Sequence, residues 1–292
     1  PLRRIAVIGA GISGMAAAHL LAPDHKVVLF EAAASLGGHA VTVMAGKRGD
    51  QPVDMGFIVF NKINYPRLTA LFEQLDVPIA PSNMSFACSI QGGALEYGLR
   101  DLNSLFAQRR NLLNPRYLRM LTDILRFHRS ADSVLTPGMT LRDLLGVMRM
   151  SDAFRDHYIA PFTGAIWSTP SAGMLDFPAE ALIRFFKNHG LMGVWKHHPW
   201  FTVQGGSVEY VSRLQASLSR HGVEIRTSCP IAGVRRLGDG AQVRAIGGEW
   251  EMFDEVIFAT HSDDTLRLLA DPSPAERAAL SAIRYQPNDV VL

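Results

Sequence analysis

Cysteine is nearly missing from this 292-residue chain: Cys88 and Cys229 stand far apart, with no CxxC pair and no histidines at the spacings that hold zinc. The natural readings are a reducing, cytoplasmic setting, two structural thiols and no metal ligands. Charge of one sign is missing as well. With 29 Lys and Arg against 27 Asp and Glu the formal net charge is +2, which gives no electrostatic reason to expect nucleic acid. Lysine itself is scarce, and Lys26, Lys47, Lys62, Lys187 and Lys196 are all there are. No apolar run approaches the ~20 residues of a membrane-spanning helix, and glycines interrupt the first one too soon for a signal peptide. There is no internal repeat and no low-complexity tract. The remaining material is 48% hydrophobic, enough for a large core and, at this length, for roughly two domains.

Glycine, by contrast, is placed with care. The opening PLRRIAVIGAGISGMAAAHLL sets a short, partly β-branched run, Ile5 to Ile8, before a helix-like run rich in Ala and Leu. Between them Gly9, Gly11 and Gly14 enclose Ile12 and Ser13. Gly9 permits the turn, Gly11 lets backbone approach a pyrophosphate, and Gly14 lets helix and strand pack closely, while the first N–H groups of the helix face the phosphates. A second strand, Val27 to Phe30, runs into Glu31, 17 positions after Gly14, near the separation at which a carboxylate accepts from ribose hydroxyls. No arginine follows Glu31 closely to meet a 2′-phosphate. The motif therefore expects an adenine dinucleotide lacking that phosphate, NAD or FAD.

Further along, Leu68, Leu71, Phe72 and Leu75 mark one face of a helix that begins at Pro66, and SFACSIQGGALEYG is a hairpin closed at Gly92-Gly93. From Asp101 to about His189 the pattern is mainly helical, with starts at Thr140, Ser151 and near Pro178. The α/β character returns near Thr202: a helix from a Ser207 cap to Gly222, a strand Val223 to Arg226, a hairpin turning at Asp239-Gly240, and a buried strand Glu255 to Ala259. A helix capped by Ser262 comes next, then one with a capping box from Ser273 to Glu276. The expected fold class is α/β: an FAD/NAD(P)-binding Rossmann-like domain carrying an inserted, mainly helical α+β substrate domain. The expected boundaries are 1–78 and 201–265 for the first, and 79–200 and 266–292 for the second. The chain stops at the strand-like YQPNDVVL without a terminating signal, so it is expected to be a piece of a longer protein.

Placed after the glycine turn, EAAASLGGHAVT resembles the second glycine motif of the flavin-containing amine oxidase superfamily, which includes monoamine and polyamine oxidases, phytoene desaturases and protoporphyrinogen oxidases. Gly37, Gly38 and Thr42 match that motif, whereas Ser35 and His39 stand where relatives carry arginine. The resemblance implies that Glu31, Ala32, Gly37, Gly38, His39 and Ala40 lie along the pyrophosphate and ribityl side of FAD, the glycine pair for close backbone approach. Later stretches resemble the family in the same order. VDMGFIVFN matches the loop beside the flavin ring, with Met55, Gly56, Phe57 and Ile58 as its contacts; QGGSVEYVSRL matches a Gly-Gly turn and helix. CPIAGV matches the strand whose Ile231 touches adenine, and VIFATHSDD matches the strand and turn ending at Ala259 and Thr260. More narrowly, the chain is similar to bacterial NAD/FAD-binding, amine-oxidase-like proteins. The family's closing glycine-rich FAD motif is absent from these residues.

The implied activity is that of an FAD-dependent oxidoreductase removing a hydride from an apolar small molecule: an amine, a polyene or an acyl lipid. The alternatives are a flavin-dependent isomerase or a non-catalytic dinucleotide-binding module. Family members often hold a lysine beside the flavin; none of the five lysines lies in a matching segment, so no catalytic residue is named. The aromatics of PFTGAIWSTPSAGMLDFPAEALIRFF suggest an apolar pocket as a group and ordinary core singly. His189, Trp195, His197, His198 and Trp200 read first as a loop packing between domains. A basic aromatic lip resting on a membrane surface is the alternative, and metal ligation is disfavoured by Pro199. Oligomeric state is left open.

Overall fold

The computed structural model describes residues 1–167, 171–192, 198–285 and 287. The chain divides into two compact units, one built from Pro1–Phe60, Tyr65–Pro81 and Phe201 onward, the other from Asn61–Asn64 and Ser82–Trp200.

The first unit is organised by a four-stranded parallel sheet. Its strands, in spatial order, are Glu255–Phe258, Arg4–Ile8, Lys26–Phe30 and Glu224–Arg226. Because successive side chains of a strand point to opposite faces, Ile5, Val7, Val27 and Leu29 enter one core with Met15, Ala18, Tyr210, Leu214 and Leu218. Ala6, Ile8, Val28 and Phe30 enter another with Ile231, Val234, Val243 and Phe253. The first layer is supplied by the helices Ile12–Leu21 and Val208–Arg220, the second by the antiparallel sheet Ile231–Leu237, Gly240–Ala245 and Trp250–Phe253. Burial on both faces explains why the two central strands, Arg4–Ile8 and Lys26–Phe30, carry continuous apolar runs, whereas the edge strand Glu224–Arg226 does not.

Residues 266–285 belong with this unit, whereas the sequence pattern assigns them to the other. Leu268 packs on the second core, the Ala270 N–H donates to Val234 O, and Arg236 pairs with Asp271 and Glu276. Two cap assignments also change. His261, not Ser262, precedes the helix Ser262–Leu268, and Ser207 makes no side-chain cap at Val208–Arg220 because its hydroxyl is engaged elsewhere.

The second unit carries the hairpin Ala87–Ile90 with Leu95–Gly98 and the helices Pro115–Val134, Leu141–Val147, Ala160–Trp167 and Ala179–Asn188. Thr140 and Ser151 cap as their positions predict. A π-helical turn, Arg155–Ile159, joins Asp152–Phe154 to Ala160–Trp167, which sequence periodicity does not reveal. The aromatics read singly as ordinary core pack as core here: Phe186 is fully buried, and Phe162, Trp167, Phe177 and Phe185 pack against the same cluster. Of the His/Trp stretch, Trp195 and His197 lie outside the described residues, while the His189 ring stacks parallel to Trp200. No helix among the described residues is long and apolar enough to cross a membrane.

The carboxylate of Asp123 is fully buried. Desolvation would raise its pKa, but hydrogen bonds from Ser151 first and then from Arg119 outweigh that and hold it below the usual carboxylate range. Asp123→Ala would strand the Ser151 N–H and two half-exposed arginines. It should destabilise the protein by about 3 kcal/mol, read as a shift in the urea midpoint.

Histidine titration gives a second expectation. His19, on the first helix, approaches Ser217 Oγ at 3.2 Å and lies edge-on to His221. Burial, then the charge of His221, lowers its pKa. The unfolded chain therefore takes up that proton more readily, and the associated stability is present above the ordinary histidine pKa of 6.5 and lost as pH falls through the lower folded value. Melting temperatures should drop between pH 7.5 and 5.5, by less in His19→Gln than in the wild type; equal slopes would refute this.

Candidate functional site

The site is built from backbone. Arg4–Ile8 ends in Gly9, whose φ of +98° lies in the left-handed region and whose N–H donates to Phe30 O at 2.8 Å. A Cβ at Gly9 would fall 2.8 Å from the carbonyl oxygen of Ala259, with Thr260 beside it. One at Gly14 would overlap the carbonyl oxygen of Gly9. The turn is therefore clasped between the helix behind it and the end of the strand Glu255–Phe258.

The second glycine pair meets the first. Gly37 N–H donates to Ala10 O at 2.9 Å, Gly11 and Gly37 form a parallel bridge, and a Cβ at Gly38 would lie 2.9 Å from Gly11 Cα. Ile12 begins the first helix after Gly11, which gives it no side-chain cap, and Ser13 is exposed. Glu31 accepts from Ala10 N–H at 2.7 Å on one oxygen and from Ala33 N–H at 2.8 Å on the other. Each oxygen keeps acceptor capacity. Ala32, Gly38 and His39 are exposed and Ala40 half-buried.

Two further groups of the expected residues reach the same place. The loop of Met55, Gly56, Phe57 and Ile58 approaches so closely that a Cβ at Gly56 would overlap His39 O; Ile58 is 56% exposed. Ala259 and Thr260 back the turn as described. Ile231 is different: it is 9% exposed within the second core, and its approach to the site is through the preceding segment, where Cys229 N–H donates to Glu31 O.

His261, Tyr285 and Asp54 were not singled out from the sequence. His39 stacks on His261 at 5.7 Å, and His261 on Tyr285 at 4.1 Å; the Tyr285 oxygen accepts from Ser262 N–H. Asp54 accepts from Thr42 Oγ1 at 2.6 Å, from Ser207 Oγ at 2.6 Å and from the Ser207 N–H. Burial first, and the Asp54 charge second, push the Tyr210 hydroxyl up to about 12. The one signal for Asp54 was its place immediately before the Met55 loop. Among the described residues only His261, Asp263 and Asp264 bring three metal-capable groups within 4.8 Å; two are exposed, as is common for acids at a helix start.

A model of the flavin-containing amine oxidoreductases matches residues 12–291. The chain belongs to that family. No curated protein sequence matches it, but solved structures do. Over 97% of this chain, cyclohexylamine oxidase from Brevibacterium oxydans IH-35A superposes with a TM-score of 0.70 at 20% identity. Putrescine oxidase, solved with putrescine bound, gives 0.68 at 18% over 96%, and an oxidoreductase from Methanosarcina mazei gives 0.64 at 18% over 96%. At these identities the likeness establishes the fold. The chain spans 63%, 63% and 64% of those three proteins, respectively.

The steric role of Gly14 yields a direct test. Gly14→Ala forces a Cβ into backbone and should cost about 1–3 kcal/mol in chemical denaturation. Gly146→Ala, in the interior of Leu141–Val147 where a Cβ meets nothing within 4 Å, should be neutral or stabilise by up to about 1 kcal/mol.

Proposed function

We propose that this chain is the cofactor-holding part of an FAD-dependent oxidoreductase that removes a hydride from an apolar small molecule. One observation carries the reading: Gly11 is a glycine that the protein itself does not need. Its φ is −72°, which any residue adopts, and a Cβ there would find only Gly38 Cα, at an ordinary 3.9 Å. Gly9, Gly14, Gly38 and Gly56 are each explained by the protein's own backbone; Gly11 is explained by something that approaches from outside. It stands at the start of a ten-residue helix, with unpaired first-turn N–H groups beside it, which suits the diphosphate of a dinucleotide.

The neighbours fit the rest of that ligand. Glu31 is set to accept from ribose hydroxyls, and Met55, Gly56, Phe57 and Ile58 would lie along the ring, with Ile231, Ala259 and Thr260 on the adenine and turn side. His39 offers one donor where relatives have a guanidinium, so the backbone carries more of the phosphate binding. FAD would supply the two-electron acceptor for the substrate's hydride. Exposed apolar side chains of the same unit, Val41, Met44 and Ile58, support an apolar substrate such as an amine, a polyene or an acyl lipid. In the same reading the Ser82–Trp200 unit serves the substrate. Two free thiols support a cytoplasmic setting.

The purified protein should show flavin absorption bands, or acquire them on adding FAD. Gly11→Ala should keep wild-type thermal stability without ligand while losing at least about tenfold in FAD affinity by fluorescence titration. A wild type that never takes up FAD would end the proposal, and so would a Gly11→Ala variant that binds it normally.

A further inference from the structure

The residue that the site most depends on, beyond the glycines, is one that touches no part of the open cradle. Asp54 ends the strand Gln51–Asp54, paired with Thr42–Ala45 so that Thr42 stands opposite it. Its carboxylate receives three donors: Thr42 Oγ1 at 2.6 Å, Ser207 Oγ at 2.6 Å, and the Ser207 N–H at 2.9 and 3.0 Å to its two oxygens. Thr42 Oγ1 in turn accepts from the Val208 N–H at 3.0 Å. The first two N–H groups at the start of Val208–Arg220 are thereby satisfied from a hairpin more than 150 residues earlier in the chain, and Ser207 is fully buried beneath them. The tight seat requires Gly206, where φ is +90° and a Cβ would fall 2.6 Å from Thr42 Cγ2.

Asp54 leads directly into the loop Met55–Ile58. This loop has no ladder of its own and is tied by Met55 N–H to Val41 O, by Thr202 Oγ1 to Ile58 O, and by the longer 3.3 Å approach of Ser207 Oγ to Phe57 O. The Phe57 ring rests edge-on against Tyr210, on the same helix that Asp54 holds. A single carboxylate thus fixes the entry of the loop, the start of the helix against which its aromatic side chain rests, and the turn Gly205-Gly206 between them.

We infer that Asp54 is a positioning residue for FAD, acting through Met55–Ile58. This rests on the FAD reading above. All three donors reach Oδ1, and the Ser207 N–H also approaches Oδ2; Asp54→Asn keeps one acceptor oxygen but loses the charge and turns an N–H₂ toward the Ser207 N–H, so it weakens the junction. Thr42→Ser keeps the bridging hydroxyl; Thr42→Val removes it at nearly constant volume.

The test uses FAD titration by fluorescence and the visible spectrum of bound flavin, which reports the polarity and packing at the ring. Asp54→Asn and Thr42→Val should weaken FAD binding by about tenfold or more and alter the shape of the long-wavelength flavin band, while Thr42→Ser stays near wild type. Wild-type affinity and an unchanged band in both Asp54→Asn and Thr42→Val would overturn the inference and leave the FAD reading standing. So would a Thr42→Ser variant as impaired as Thr42→Val. If Asp54→Asn does not fold, the Thr42 pair decides. A wild type that takes up no FAD overturns both readings together.

Discussion

Everything in this chain's site depends on backbone lying against backbone at distances a Cβ would forbid. The strand-to-helix turn at Gly9 to Gly14 is pressed between Ala259 and its own helix, and Gly38 lies on Gly11. Gly56 lies on His39 in the same way. Three stretches separated in sequence are drawn to one point by removing side chains, not by adding attractive ones. Interiors pack at near-crystalline density, so such contacts admit little adjustment. That is why the positions of the glycines carry more information about the fold than the polar residues around them.

That constraint explains how much could be read from the sequence. The glycine turn was legible because steric requirements act on single residues at fixed spacing, Glu31 from its distance after that turn, and the second glycine pair from its resemblance to the family's motif. The two central parallel strands were legible because burial on both faces leaves continuous apolar runs. Asp54, Thr42 and Ser207 were not legible as a group, because their meeting depends on a hairpin reaching the start of a helix far along the chain. Ser207 looks like a helix cap by local pattern, yet its hydroxyl serves Asp54 and the cap comes from another element. The affiliation of 266–285 is hidden for the same reason: it is decided by Ala270 meeting Val234 and by Arg236 meeting Asp271 and Glu276, none of which periodicity contains.

The two units are held by different means. The first stacks layers on its parallel sheet, with few charges inside. The second is a helical body whose core is rich in aromatic rings, with one fully buried carboxylate, Asp123, taking donors from two arginines and from the N–H of Ser151. Its π-helical turn rotates the chain between Phe154 and Ala160 so that Tyr158 and Ile159 both face the core.

The strand order has a consequence for how the protein is made. Arg4–Ile8 is synthesised early, but one of its two neighbours, Glu255–Phe258, pairs with it at Ile5↔Glu255, from the far end of the chain. Until that segment leaves the ribosome the opening strand lacks a partner on one side, and Gly9 lacks the Ala259 carbonyl that closes over it. The Ser82–Trp200 unit draws on a continuous stretch that emerges well before then. The glycine turn is therefore closed over by Ala259 only after the Ser82–Trp200 stretch has been synthesised.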